Sequence, residues 1–148
     1  MNRAELQKMA TERILDAKVL LDGQRWSYAY YVAGYAVECA LKSCVLARMI
    51  ETGGVFKDKK FAEKCWTHDF GELVGLAGLK DELNDALQTS ATISGGSPQG
   101  AFYTFWEIAT DWNEISRYED KTQVDAVDLY EAITHDPEGV LKWIQKYW

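Results

Sequence analysis

Between Trp26 and Gly53-Gly54 lies the segment that most restricts how this chain can fold. Ala29, Ala33, Ala36, Ala40, Cys44 and Ala47 recur there at spacings of three and four. That period belongs to a helix, and at about 100° per residue Tyr31, Tyr35, Glu38 and Lys42 fall on the opposite side. Val32, Val37, Leu41 and Val45 fill the flanks, so the helix is apolar nearly all round. Such a helix belongs in the middle of a bundle, or between a bundle and a partner. Ser27 is placed to cap its start and Gly53-Gly54 to end it, a span of roughly seven turns. Its longest uncharged run, Trp26 to Val37, is too short to cross a bilayer.

The flanking sequence offers helices to surround it. Asn2 and Glu5 have capping-box spacing ahead of Leu6, Met9, Ala10, Ile14, Ala17 and Leu21, a helical series that Asp22-Gly23 stops. Val55 to Trp66 reads as a loop or short irregular piece carrying Lys57, Lys59, Lys60 and Lys64. Asp69 and Glu72 repeat the capping-box spacing before Leu73, Val74, Leu76 and Ala77. A short helical piece is expected around Lys80 to Gln88. Thr89 to Gly100, with Gly95-Gly96 and Pro98, reads as a loop. Helical periodicity returns from Ala101 to about Arg117 and from about Val124 to Thr134. A last helix follows Asp136-Pro137, with Asp136 as cap and Pro137 at the first helical position.

No stretch alternates with period two over a strand length. The 148 residues fit one domain, and 47% hydrophobic residues are too many for a disordered chain. The expectation is therefore a single all-α domain over 1–148. Its architecture would be an antiparallel up-and-down bundle of four to five main helices plus short helical pieces.

Charge narrows the partners. Lys and Arg number 16 against 23 Asp and Glu, a net −7, which argues against non-specific DNA binding because phosphate neutralisation needs clustered cations. Three cysteines (Cys39, Cys44, Cys65) without C-x-x-C spacing suit a reducing compartment. The charged N-terminus lacks an apolar signal core, so a cytoplasmic location without membrane association is expected.

Three segments carry a resemblance to a known family. AYYVAGYAVECALK at 29–42 resembles the signature helix of HEPN domains, named for nucleotide binding in higher eukaryotes and prokaryotes. THDFGEL at 67–73 and WNEISRYE at 112–119 fit the same resemblance in order and separation. It implies a four- to five-helix bundle, commonly a homodimer. Many members are ribonucleases, often toxins encoded beside a minimal nucleotidyltransferase, and others bind nucleotides or RNA. The ribonucleases carry Arg, four to six residues, then His. Here Arg117 is followed by no histidine until His135, so that motif cannot be carried over.

Five residues remain as candidates for a polar cleft: Glu38, Lys42, His68, Arg117 and Tyr118. Glu38 and Lys42 stand at i and i+4, which is either an ordinary helix ion pair or the base of a pocket in a helix with little other polar surface. Glu38 would face Lys42, Arg117 or His68. His68 is expected at the first turn of a helix, as a base, a donor to an anion, or simply a loop fastener. Arg117 offers a planar fork for phosphate and Tyr118 a stacking face or hydroxyl, unless Arg117 merely complements a helix end. The lysines at 57–64 could form an electropositive patch over the His68 helix start, or a solvated loop. The tyrosines of the central helix and the aromatic residues at 102–106 suit packing better than base stacking. Cys65-x-x-His68 has metal-like local spacing but lacks matched further ligands, so no metal and no cofactor are expected.

The leading expectation is a HEPN-type homodimeric module that binds a nucleotide, RNA or a nucleotidyltransferase partner, within a toxin–antitoxin or defence system. One alternative is a divergent metal-independent RNA endonuclease with His68 and Arg117 as catalytic candidates. The other is a structural or assembly protein without ligand.

Overall fold

A computed structural model describes residues 1–51, 59–93 and 100–148, with only the backbone described at 51, 59 and 91–93. In chain order the helices are α1 (Arg3–Asp22), α2 (Trp26–Glu51), α3 (Lys59–Lys64), α4 (Phe70–Ala77), α5 (Lys80–Ile93) and α6 (Ala101–Thr110). A 3-10 helix (Glu114–Tyr118), α7 (Gln123–Thr134) and α8 (Val140–Ile144) complete the chain. No strand occurs among the described residues, and the fold is an all-α bundle.

The bundle is organised around α2, which packs against α1, α4, α7, α8 and the 3-10 helix. Ala33, Ala36, Val37, Ala40, Leu41 and Ser43 are all fully enclosed. Small side chains permit this, because neighbouring helices can approach from several sides without leaving voids. The Ser43 hydroxyl, which would be costly to bury unpaired, donates to the Ala40 carbonyl at 2.8 Å. From the other side of the core come Leu73, Val74, Leu129, Ile133, Val140 and Ile144.

Local signals explain most of the ends. Asn2 and Glu5 form the expected capping box, and Thr122 with Asp125 forms a second one on α7. Helix α1 turns into α2 through a Schellman arrangement: Gln24 donates to the Leu21 carbonyl and Arg25 to that of Leu20, with Gln24 left-handed at φ 59°. Gly78, at φ 75°, does the same for α4, where the Arg48 guanidinium also donates to the carbonyls of Gly75 and Leu76.

Several expected boundaries are corrected. Ser27 does not cap α2, which begins at Trp26; its hydroxyl accepts from the Lys121 amide at 2.9 Å and fastens a distant loop. The Val55–Trp66 segment contains α3, while its residues 52–58 lie outside the described residues. Helix α5 runs on past Gln88 to Ile93, so only part of the expected Thr89–Gly100 loop remains, and 94–99, with Gly95, Gly96 and Pro98, lies outside the description. The helix expected from Ala101 to Arg117 stops at Thr110, because Asn113 caps a new 3-10 turn by accepting from the Ile115 amide. Finally, Gly139 occupies the N-cap position of α8, three residues beyond the expected Asp136 cap.

Candidate functional site

Glu38 is the only carboxylate among the described residues that is buried as a residue, at 3% exposure. It projects from the middle of α2, where the helix geometry brings Lys42 one turn further along the same face. The Lys42 ammonium donates to Glu38 Oε1 at 2.8 Å. His68 Nδ1 meets Glu38 Oε2, also at 2.8 Å. One carboxylate thus uses both oxygens, and its burial is compensated by two partners that keep an outlet to solvent. Lys42 is 23% and His68 42% exposed at the side chain.

The chain places His68 here through α4. Asp69 caps that helix by accepting from the Glu72 amide at 2.7 Å, and Thr67 bonds both the Asp69 amide and the Glu72 carboxylate. His68 therefore stands just before the cap, a correction to the expected place in the first helical turn. Phe70, two residues on, stacks on Trp112 with centroids 5.2 Å apart. Trp112 in turn lies over Gly34 and faces Tyr31 at 6.1 Å. A carboxylate oxygen only accepts, so Nδ1 carries the hydrogen, and in the neutral ring Nε2 on the opposite side presents its lone pair. The arrangement can hold an anion through Lys42 or accept a proton at His68.

Along α2 the same strip continues as rings. Tyr31 stacks nearly parallel to Tyr35 at 6.3 Å, and Tyr28 is tilted against Tyr31 at 6.0 Å. Burial raises the Tyr35 phenol above its usual pKa, with smaller contributions from Cys39 and Glu38. Burial also pushes Cys39 up to about 11, helped by the Glu38 charge, and Cys44 up to about 11. Neither is a nucleophile at neutral pH. Among the described residues no three metal-ligating side chains come together.

Beyond Lys42 the strip opens into an apolar hollow of about 530 Å³ lined by residues including Leu46, Met49, Phe61, Cys65 and Trp66. Among the described residues Lys42 is its one charged side chain, Met1 lines it too, and the Trp66 indole is 80% exposed at its edge. From sequence, Trp66 falls at the end of an expected loop and has no assigned role. The signal it carried was its place directly before the THDFGEL segment.

The five sequence candidates are thus divided. Glu38, Lys42 and His68 meet, whereas no hydrogen bond or ion pair joins Arg117 or Tyr118 to them among the described residues. Arg117 instead stands over the Tyr118 ring, 4.9 Å from its centroid, and both are exposed. They lie nearer the start of α2, between Trp112 over Gly34 and Lys121, whose ammonium sits 4.7 Å from the Tyr30 ring. Of the lysines at 57–64, the described Lys60 and Lys64 share their surface with Glu63, Trp66, Thr67 and Glu72. Lys57 lies outside the described residues, and the side chain of Lys59 is not described. No helix among the described residues is long and apolar enough to cross a membrane. Comparison with known proteins returns no matching family model, no matching curated protein and no matching solved structure.

Proposed function

We propose that this chain is an RNA- or nucleotide-binding helical module whose contact surface is the polar strip of α2. The observation that carries the reading is the buried Glu38 carboxylate holding Lys42 and His68 together at 2.8 Å each. Lys42 supplies charge to a phosphate, His68 a hydrogen-bonding ring, and Glu38 fixes both. The half-buried rings of Tyr31 and Tyr35 on one side and the exposed Trp66 on the other offer stacking faces at either end. Arg117 and Tyr118, at the far end of the strip, suit a neighbouring phosphate and base.

Fluorescence anisotropy with a labelled single-stranded RNA tests this. Lys42→Ala and Trp66→Ala should each weaken binding by roughly tenfold, and Lys42→Ala should flatten the salt dependence. Wild-type protein that binds neither RNA nor mononucleotides, or variants that bind as wild type does, would overturn the reading.

A second reading, a metal-independent RNA endonuclease, draws on one specific feature. The Glu38–His68 contact orients the ring so that Nε2 is available as a general base toward a ribose hydroxyl, with Lys42 beside it for the developing phosphate charge. Cleavage measured with chelator present decides it. Activity should vanish in His68→Ala and fall sharply in Glu38→Gln, and activity surviving both would eliminate this mechanism.

A further inference from the structure

A second cleft shares no residue with the Glu38 strip. It lies between α5, the start of α6, the turn at 137–139 and α8, and encloses about 370 Å³. Helix α5 turns Glu82, Asp85, Ala86 and Thr89 toward it, a set at i, i+3, i+4 and i+7 and so one helical face. Glu138 adds a third carboxylate from the turn, against one ammonium, Lys146. The rest of the wall is aromatic. Phe102 meets Trp143 at 5.8 Å and 47°, and Trp143 meets Tyr147 at 5.5 Å and 62°, so the three ring planes form a corner.

Two buried atoms in this wall lack partners among the described residues. Glu82 Oε2 has no donor, and the Nε1–H of Trp143, a residue only 4% exposed, has no acceptor. The indole N–H is turned toward the Tyr147 phenol and acts on it as a weak hydrogen-bond donor that favours the phenolate, a contact that falls short of full hydrogen-bond geometry and leaves the donor open to a better acceptor. A buried polar group left unpaired costs about 1–3 kcal/mol, so an occupant supplying both a donor and an acceptor is favoured. The Tyr147 phenol, raised above its usual pKa first by burial and then by Glu82 and Asp85, marks these carboxylates as facing the rings. An anion is excluded by the charge balance. A metal ion is disfavoured by geometry, because no three ligating groups among the described residues stand close enough to share one. An organic cation uses both the carboxylates and the ring faces.

We propose that this cleft binds a small protonated amino alcohol. Its ammonium N–H donates to Glu82 with Asp85 nearby, its alkyl carbons lie against Trp143 and Tyr147, and its hydroxyl accepts from the Trp143 indole. The probe is N,N-dimethylethanolamine at neutral pH, followed by tryptophan fluorescence and calorimetry on the full chain. Its neutral isostere, 3-methylbutan-1-ol, has the same shape without the charge. The amine should bind saturably and at least about tenfold more tightly than the alcohol, and Glu82→Gln or Asp85→Asn should weaken it by about tenfold. Asp85 is exposed and Glu82 partly exposed on α5, and circular dichroism checks that the fold is retained. Equal binding of amine and alcohol, unchanged affinity in the two variants, or no saturable signal up to about 10 mM would overturn the proposal.

Discussion

Glu38 sits where two costs compete. A buried carboxylate is expensive to desolvate, and breaking a fully buried pair by removing one member costs about 3–5 kcal/mol. Here the partners are only partly buried, Lys42 at 23% and His68 at 42%, so both can turn to water once the carboxylate is gone. Glu38→Ala should therefore destabilise by about 1–3 kcal/mol, the range for hydrogen bonds to charged groups, as read from urea denaturation. Glu38→Gln should cost less, since the amide keeps the shape and one acceptor. The association with Lys42 was legible in sequence because i, i+4 spacing on a helix leaves little choice. The association with His68 was one of three open partners, since 30 residues and a whole helix start separate it from Glu38. Arg117, the third open partner, stands on a separate 3-10 turn because α6 stops at Thr110.

At the level of elements, the end of α1 stores an evident inefficiency. Gln24 adopts φ 59°, a conformation that costs a residue with a Cβ roughly 1–2 kcal/mol and glycine almost nothing. Part of that saving is returned through the freer unfolded chain. Gln24→Gly should thus stabilise by about 0.5–1 kcal/mol, seen as a higher urea midpoint at unchanged slope. The opposite end of the chain offers a pH test. Asp125 is held below its usual pKa by the Thr122 amide and then by the Thr122 hydroxyl. A carboxylate with a lowered folded pKa contributes stability above its unfolded pKa, and that contribution is lost as pH falls toward the folded value. Asp125→Asn should therefore be less stable than wild type at pH 7, with the difference shrinking as pH is lowered through about 4. Capping pairs such as Asn2–Glu5 could be read directly because their logic is local. Ser27 could not, because its hydroxyl answers to Lys121, 94 residues away.

For the molecule as a whole, the telling close approach is that of Trp112 to Gly34 on the central helix. A Cβ on Gly34 would lie 2.3 Å from the indole, so the ring would have to leave its stack against Phe70 and Tyr31. Gly34→Ala gains about 1 kcal/mol in helix propensity but loses about 1–3 to overpacking and 0.5–1.5 for each disturbed ring pair. The net result should be a drop of several degrees in Tm with a red-shifted tryptophan emission. The helical class and the central place of α2 were legible, because a helix apolar on nearly every side has no other stable position. What the period could not show was which neighbour lies on which side, since alanine accepts any of them. That indifference has a consequence for how such a chain can change over time. Where a side chain is enclosed by neighbours, as at Ala33, Ala36 and Ala40, an enlarging substitution has no free side to grow into, and a repair must come from a second substitution in whichever neighbour is displaced. At these alanines viable replacements therefore come in linked pairs, whereas exposed positions of α2 such as Tyr28 can be altered one residue at a time, and that is where new ligands can be acquired without rebuilding the bundle.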